Sequence, residues 1–170
     1  NTYDFNRFIF RFFNVYMYHP NPYYHVDGEK KMMSFRLIMD KARKGEPIEV
    51  WGDSSRTKEM LYVKDLTLLI EQAIESDKKG GIYNVGSSKQ VSLEEQIDGI
   101  IDVFSDAKRS EKVYCPEKPD ALFNHLDISK TIKDLDYKPQ YSYIDWLRDF
   151  KLEEEMNRFE KLWGTRDDYE

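Results

Sequence analysis

The sequence contains few of the residues that mark disulfide-stabilised, metal-binding or nucleic-acid-binding proteins. Only Cys115 is a cysteine, which excludes an internal disulfide and fits a reducing compartment, so we expect a cytoplasmic protein. The three histidines, His19, His25 and His125, lack the close spacing of a metal site. The net charge is -6, whereas non-specific binding to nucleic acid relies on an excess of cations. We therefore expect neither a metal nor a nucleic-acid partner.

Long hydrophobic runs are also missing. No apolar segment approaches the roughly 20 residues that span a bilayer, and no signal peptide is evident, so no membrane partner is expected. The 170 residues, 40% hydrophobic and 34% charged, suffice for one ordinary domain with a real core. Because the first residue is asparagine and not methionine, we expect a piece of a longer protein.

An aromatic segment near the start of the chain predicts a buried strand. Phe8, Ile9, Phe10, Phe12 and Phe13 are too continuous for a strand with one face in water. Strands of parallel sheets, which helices cover on both faces, have this composition. We therefore expect this strand to have neighbours on each side and the chain to begin inside a sheet.

Apolar spacing predicts alternating helices and strands along the rest of the chain. A capping box, Ser92 with Glu95, marks one helix start, and Asp65 is the expected cap of another. Residues 17–30 are expected to form a loop, and residues 165–170 an acidic, frayed tail. The alternation indicates an α/β or mixed α+β domain. The predicted helices are 31–44, 66–76, 92–104, 128–135 and 143–163, and the later strands are 48–51, 60–63, 82–85 and 112–115.

The stretch from Glu49 to Leu66 is the strongest candidate for a ligand site. Its apolar start ends at Gly52, a polar loop carries Arg56, and Lys58 follows just before a second short apolar run. A strand, a cationic loop and another strand make a plausible place to hold an anionic ligand.

Six short motifs occur in a characteristic order and spacing. They are Arg11-Phe-Phe-Asn-Val-Tyr16, Val50-Trp-Gly-Asp53, Lys58-Glu-Met-Leu-Tyr-Val-Lys-Asp-Leu66, Tyr83-Asn-Val-Gly86, Lys118-Pro-Asp120 and Leu126-Asp-Ile-Ser-Lys130. Each motif alone is weak evidence, but the ordered set, which covers nearly the whole chain, resembles the C-terminal part of the extended short-chain dehydrogenase/reductases. These are the NAD(P)-dependent epimerases, dehydratases and reductases of nucleotide sugars.

The resemblance implies an α/β fold that is the C-terminal part of an extended Rossmann-type epimerase. Residues 1–164 would supply the last strand or strands of the parallel sheet and the small mixed α/β substrate-binding domain, with 165–170 as an acidic tail. The family's glycine-rich dinucleotide turn does not occur here, and its catalytic Tyr-x-x-x-Lys would lie before the strand that starts this chain. Tyr3-Asp-Phe-Asn-Arg7 looks similar, but Tyr3 is expected only to end the preceding helix. The turn and the catalytic pair would lie in an N-terminal Rossmann portion that holds NAD or NADP, so these residues alone are expected to bind no cofactor and to have no turnover. A homodimer of the full-length protein is left open.

By resemblance, seven residues would contact a nucleotide-sugar substrate. Asn14 and Lys58 would bind the diphosphate, with Arg56 as a second cation. The remaining four would flank the base or close over the nucleotide: Val50, Trp51, Lys118 and Asp120. The alternatives are structural: a loop-capping Asn14, a solvated Lys58, a core Trp51, and an ordinary loop at 118–120.

Three positions depart from the family pattern. Met17 and Ser54 replace glycines, and Lys58 replaces an arginine, which keeps the charge but loses the two-pronged donor geometry. These departures keep two other functions open. The protein could be a binding or scaffold module that has the fold without the chemistry, or a family member that acts on a substrate without a nucleotide.

Overall fold

The computed structural model describes residues 5–87, 89–120 and 125–170, so Tyr3 lies outside the described residues. The chain forms two compact units, each assembled from three segments. Unit 1 comprises residues 1–16, 57–91 and 123–142, and unit 2 comprises residues 17–56, 92–122 and 143–170. The prediction that residues 1–164 form a single substrate-binding portion stays a prediction.

The described elements alternate between strand and helix, as the sequence predicts. The strands are β1 (Arg7–Arg11), β2 (Val15–Tyr16), β3 (Tyr23–Val26), β4 (Glu29–Met32), β5 (Ile48–Trp51), β6 (Thr57–Lys58), β7 (Leu61–Tyr62), β8 (Gly80–Asn84), β9 (Val91–Ser92) and β10 (Lys112–Cys115). The helices are α1 (Ser34–Lys44), α2 (Val63–Glu75), α3 (Leu93–Phe104), α4 (Ser129–Leu135), α5 (Tyr143–Met156) and α6 (Glu160–Trp163), followed by a 3-10 turn (Arg166–Tyr169).

Unit 1 is built around the parallel pair β1 and β8. The inner face of the pair carries Phe8 and Phe10, whose rings lie 6.0 and 6.2 Å from the ring of Tyr83. Helix α2 contributes Leu69 and Ala73 to the same core. The other buried members are Leu61, Val85, Leu135 and Tyr137. Burial of these apolar groups is the main force that holds unit 1 together.

The outer face of β1 is open in the described part of the chain. Arg7, Ile9 and Arg11 alternate with the inward phenylalanines, and 53% of Ile9 is exposed. Phe12 and Phe13 lie beyond the end of the strand and are also exposed. The prediction of a strand covered on both faces is therefore not met by the described residues. Among the same residues, β8 is the only strand that pairs with β1.

Unit 2 packs helices against a second parallel pair, β5 and β10. Ile48 and Val50 of β5 point inward, and both are fully buried. Phe150 of α5 makes edge-to-face contacts with Phe104 of α3 and with Trp146, at ring distances of 6.1 and 6.2 Å. The period-3.6 spacing of apolar residues on α1, α3 and α5 supplies the rest of this core.

The segment 17–30 is not the simple loop that the sequence analysis predicts. Strands β3 and β4 pair antiparallel as a hairpin whose two-residue turn is Asp27-Gly28, with φ angles of 52° and 80°. Aspartate followed by glycine is a preferred turn of this kind, so the Asp27-Gly28 pair is the sequence signal that indicates the hairpin. Because residues 29–32 belong to the hairpin, α1 begins at Ser34 and not at Lys31.

Helix α2 begins at Val63, earlier than predicted, so Asp65 lies in its first turn and is not its cap. The Asp65 side chain is buried and accepts a hydrogen bond from the amide of Gln140 at 2.7 Å. Burial raises the pKa of this carboxyl group. The capping box of Ser92 and Glu95 at the start of α3 is confirmed, with hydrogen bonds of 2.8 and 3.0 Å.

The C-terminal region differs from the predicted long helix and frayed tail. Helix α5 ends at Met156, Asn157 has a φ of 41°, and α6 is a separate short helix. The tail is anchored, because Arg166 donates two hydrogen bonds to the carboxylate of Asp40 on α1, at 2.8 and 2.6 Å. Two parallel hydrogen bonds between a guanidinium and a carboxylate fix both distance and orientation, so this pair holds the C-terminal tail against α1.

Candidate functional site

The loops that follow β5 and β10 begin at the same edge of the sheet of unit 2. The strands are parallel, Trp51 lies opposite Cys115, and the amide of Gly52 donates to the carbonyl of Cys115 at 3.0 Å. The carboxyl edge of a parallel sheet is where ligands of α/β proteins gather. The loops at 52–56 and 116–120 therefore form the candidate site of unit 2.

Asp120 ties these two loops together. Its Oδ1 accepts a hydrogen bond from the amide of Asp53 at 2.9 Å and forms an ion pair with Arg56. Gly52, at φ +66°, leaves space for the Asp120 carboxylate, with which a Cβ at residue 52 would collide. Two of the predicted substrate-binding residues, Arg56 and Asp120, are thus partners of each other, although 64 residues separate them.

The loop at 52–56 is also held by the start of α3. The amides of Leu93 and Glu94 donate to the carbonyls of Arg56 and Ser54, at 2.9 and 3.0 Å. These amides belong to the first turn of a helix, where no partner exists within the helix itself. Inside the loop, hydrogen bonds from the hydroxyl and amide of Ser55 hold the pKa of Asp53 below its usual value.

Trp51 points out of unit 2, while its neighbour Val50 points in. The indole is 45% exposed, which argues against a core role, and its Nε1 donates to the Glu49 carboxylate at 2.7 Å. The ammonium of Lys118 lies 5.4 Å from the indole ring centroid. Val50 is fully buried as a residue, backbone included, so the described structure leaves no surface of this predicted residue open to a ligand.

Unit 1 contains the other two predicted residues. Asn14 is exposed and lies between β1 and β2. Strand β2 pairs parallel with β7, and the ammonium of Lys58 lies 5.5 Å from the ring centroid of Tyr16. Lys58 therefore lies over the short strand that begins directly after Asn14.

A buried carboxylate next to Lys58 was not assigned a role from sequence. The Glu59 side chain is only 8% exposed, lies 3.1 Å from Nδ1 of His125, and accepts a hydrogen bond from the amide of Leu126 at 3.4 Å. Burial raises the pKa of Glu59, although the Leu126 amide and His125 oppose the shift. The alternation of side chains along an extended segment could have indicated that Glu59 points inward with Leu61.

The resemblance implies NAD, whose pyrophosphate requires a glycine-rich turn that opens a helix. The glycines that follow the parallel strands do not fit this group. Gly52 faces the carboxylate of Asp120 and Gly86 faces that of Glu59, and each carboxylate would repel a pyrophosphate. The residues of this chain therefore do not form the expected dinucleotide turn, and whether the chain binds the cofactor by itself stays untested.

The described ranges contain neither a metal-binding cluster nor a membrane-spanning helix. Nowhere in residues 5–87, 89–120 and 125–170 do three or more histidine, cysteine, aspartate or glutamate side chains cluster as a metal ion would require. Each helix in the same ranges is too short or too polar to cross a bilayer.

Comparison with known proteins identifies the class. The sequence model of the NAD dependent epimerase/dehydratase family matches residues 1–86, half of the chain. The chain therefore belongs to this family, and its mixed α/β fold with parallel strand pairs agrees with that of extended Rossmann-type epimerases.

Particular relatives show how much of the family fold is spanned. A dTDP-4-dehydro-6-deoxy-D-allose reductase of Streptomyces sp. is 30% identical over 132 residues, which are 75% of this chain and 39% of that protein. The epimerase Mth375 of Methanothermobacter thermautotrophicus superposes with a TM-score of 0.63 at 25% identity, over 88% of this chain and 44% of that one.

The UDP-glucose 4-epimerase of Thermotoga maritima, solved with UDP-glucose, gives a TM-score of 0.64 at 19% identity, over 87% of this chain and 45% of that one. The chain thus spans less than half the length of the relatives and solved structures that it matches.

Proposed function

We propose that this chain is the nucleotide-sugar-binding portion of an NAD(P)-dependent sugar-nucleotide epimerase, dehydratase or reductase. The observation that carries the proposal is the exposed indole of Trp51, with the ammonium of Lys118 at 5.4 Å, at the carboxyl edge of a parallel strand pair. An aromatic face beside a cation suits a base joined to phosphate groups. The printed names of relatives, which include a dTDP-sugar reductase and a UDP-glucose epimerase, support this substrate class.

In unit 2 the proposed role of Trp51 is to stack on the base. Glu49 accepts the indole N–H and so restricts the orientation of the ring, which lowers the entropy lost on binding. Stacking of a base on an aromatic side chain contributes about 1–3 kcal/mol. Val50 is fully buried next to Trp51, so its proposed role is to support the position of the indole from the core. Lys118 is proposed to neutralise charge next to the base.

Arg56 and Asp120 receive a revised role within the same proposal. Their ion pair and the hydrogen bond from Asp53 shape the loop after β5. To bind an anion, Arg56 would have to break its ion pair with Asp120. We therefore propose that Arg56 contributes mainly by holding the loop in its conformation. A change at either residue is expected to weaken ligand binding mainly by displacing the loop.

In unit 1 the proposed role of Asn14 and Lys58 is to hold the diphosphate. The Asn14 amide offers two donors, and the Lys58 ammonium, 5.5 Å from the ring centroid of Tyr16, offers a positive charge. A diphosphate held by such groups fixes the sugar that it carries, which is catalysis by positioning. We place the proton and hydride transfers on a further Rossmann portion of the same polypeptide, which carries the NAD or NADP.

Tryptophan fluorescence tests the assignment of the base. Among the three tryptophans, Trp51 is the most exposed, whereas Trp146 is buried. UDP-glucose or dTDP-glucose should quench the emission of the wild-type protein and of the control variant Trp163→Phe. The quench should disappear in Trp51→Phe, and a quench of unchanged size in that variant would contradict the assignment.

The two other functions left open by the sequence are outcomes of further measurements. Nucleotide-sugar binding without turnover in the complete protein supplied with NAD and NADP would favour a binding or scaffold module. The absence of binding to any nucleotide, together with turnover of another carbonyl or hydroxyl compound, would favour a family member with a non-nucleotide substrate.

A further inference from the structure

A groove between α3 and α5 on the surface of unit 2 combines apolar and charged side chains. Its apolar lining consists of Val103 of α3 with Ile144 and Leu152 of α5, and 48% of Leu152 is exposed. Arg148 and Glu155 of α5 also line the groove, and both are exposed. We call these five residues the α3–α5 groove.

The charged side chains beside this groove differ in whether they already have partners. The ammonium of Lys151 donates to a carbonyl in the last turn of α3 at 3.0 Å, and Asp102 forms an ion pair with Arg109. The side chains of Arg148 and Glu155, by contrast, form neither an ion pair nor a hydrogen bond within the described ranges. One positive and one negative charge of the groove are therefore available to a partner.

The spacing of these two charges makes the surface of α5 complementary to itself. Arg148 and Glu155 are two helical turns apart, about 10 Å along the axis, and lie on one face of α5 with Leu152 between them. The midpoint of the pair falls between residues 151 and 152. If a second α5 runs antiparallel to the first, with a twofold axis at that midpoint, Arg148 of each copy meets Glu155 of the other. The two Leu152 side chains then face each other next to the axis.

We propose that the α3–α5 groove is the contact surface for a second copy of this chain, with the two α5 helices packed antiparallel. Burial of Leu152 and Ile144 supplies the apolar part of the contact. The two Arg148–Glu155 pairs fix its orientation and register, because a parallel arrangement would place like charges opposite each other. The inference does not rest on the proposed function, since none of these residues belongs to the candidate nucleotide-sugar site.

Sedimentation velocity of the complete gene product tests the charge pairing. Arg148→Glu and Glu155→Arg should each weaken self-association at least about tenfold, since each variant places like charges opposite each other twice per dimer. The double variant should return to within about threefold of the wild type, because the pairs form again with exchanged signs. Lys44→Glu is the control, a charge reversal at an exposed residue of α1, and should associate like the wild type.

The double variant also shows whether a single variant fails only because it is misfolded. A protein that stays monomeric up to roughly 100 μM would overturn the proposal. Association that is unchanged in both single variants would overturn it as well, and so would a loss that the double variant does not restore.

Disulfide cross-linking tests the position of the twofold axis. In a Cys115→Ser background of the complete gene product, mild oxidation should link two copies of Leu152→Cys, because a residue next to the axis lies close to its own counterpart. Leu37→Cys, at a leucine of α1 that is 47% exposed, is the matched control and should remain unlinked. Equal cross-linking of the two variants would overturn the proposal. Leu152→Cys that neither cross-links nor reacts with a maleimide would identify another portion of the polypeptide as the occupant, which would also overturn it.

Discussion

The turn after β5 requires glycine at position 52. Gly52 has a positive φ and faces the Asp120 carboxylate, whereas Gly28 has a similar φ of +80° and nothing within 4 Å. We predict that Gly28→Ala lowers the free energy of unfolding by about 1 kcal/mol, the backbone cost alone. Gly52→Ala should cost at least about 1 kcal/mol more, because Asp120 must also give up its hydrogen bonds. Urea denaturation of both variants measures the difference, and equal costs would mean that Asp120 does not shape the turn.

The Asp40 carboxyl group makes the free energy of unfolding depend on pH. Burial alone would raise the pKa of Asp40, but hydrogen bonds and charge from Arg166, with help from Arg43 and Arg36, lower it below its usual value. A carboxyl group with a lowered folded-state pKa stabilises the fold above the unfolded pKa, about 4, and this contribution is lost as the pH falls through the lower value.

Asp40→Asn should therefore lower the free energy of unfolding by about 1–2 kcal/mol at neutral pH. In acid, below the folded-state pKa of Asp40, the wild type and the variant should converge. Asp102→Asn, which removes the exposed pair with Arg109, is the control and should change stability by less than about 1 kcal/mol. Urea unfolding at neutral and acidic pH measures these differences, and an Asp40→Asn deficit that persists in acid would contradict this account.

Candidate site residues could be predicted where a sequence motif contains them. Contacts between residues that are distant in the sequence could not be predicted. Motif spacing singled out Trp51 and Lys118, but no sequence pattern shows that Lys118 lies over the indole. The pairing of Arg56 with Asp120 is likewise a product of two parallel strands that end at one edge. The anchoring of Arg166 on Asp40 depends on a similar long-range contact, which explains why the tail was wrongly expected to fray.

At the scale of elements, α3 supports the candidate site through its first turn. Ser92 and Glu95 cap the helix, and the amides of Leu93 and Glu94 hold the loop at 52–56. Ser92→Ala should lower the free energy of unfolding by about 1 kcal/mol. Ser34→Ala is a matched control, since Ser34 also begins a helix but makes no cap hydrogen bond, and it should stay within about 0.5 kcal/mol. Equal losses in thermal or urea unfolding would show that the cap is not what stabilises α3.

Strong periodicity made the long elements predictable, while their ends were harder to place. The α3 boundaries were confirmed because the capping box and the apolar stripe agree. The end of α5 was missed because Asn157 lies inside an otherwise helical pattern, although asparagine often has positive φ at the end of a helix. The hairpin of β3 and β4 was missed because its strands are short and polar, so that only the Asp27-Gly28 turn indicates them.

For the whole molecule, the family could be identified from sequence because its motifs follow one another in a fixed order. The division into two interleaved units could not, since each unit is assembled from three separate segments. The expectation that β1 belongs to a wider sheet stays a prediction, because β8 is the only strand that pairs with β1 among the described residues.

Calorimetric titration of the protein with UDP, dTDP, GDP and CDP tests the central claim most directly. The account predicts that at least one nucleoside diphosphate binds and that Lys58→Ala weakens its binding by about tenfold, a loss of roughly 1.4 kcal/mol. Lys64→Ala, which removes a nearby lysine whose ammonium lies 5.8 Å from the Tyr62 ring centroid, should bind like the wild type. Absence of heat with all four nucleotides, or equal affinity in wild type and Lys58→Ala, would contradict the account.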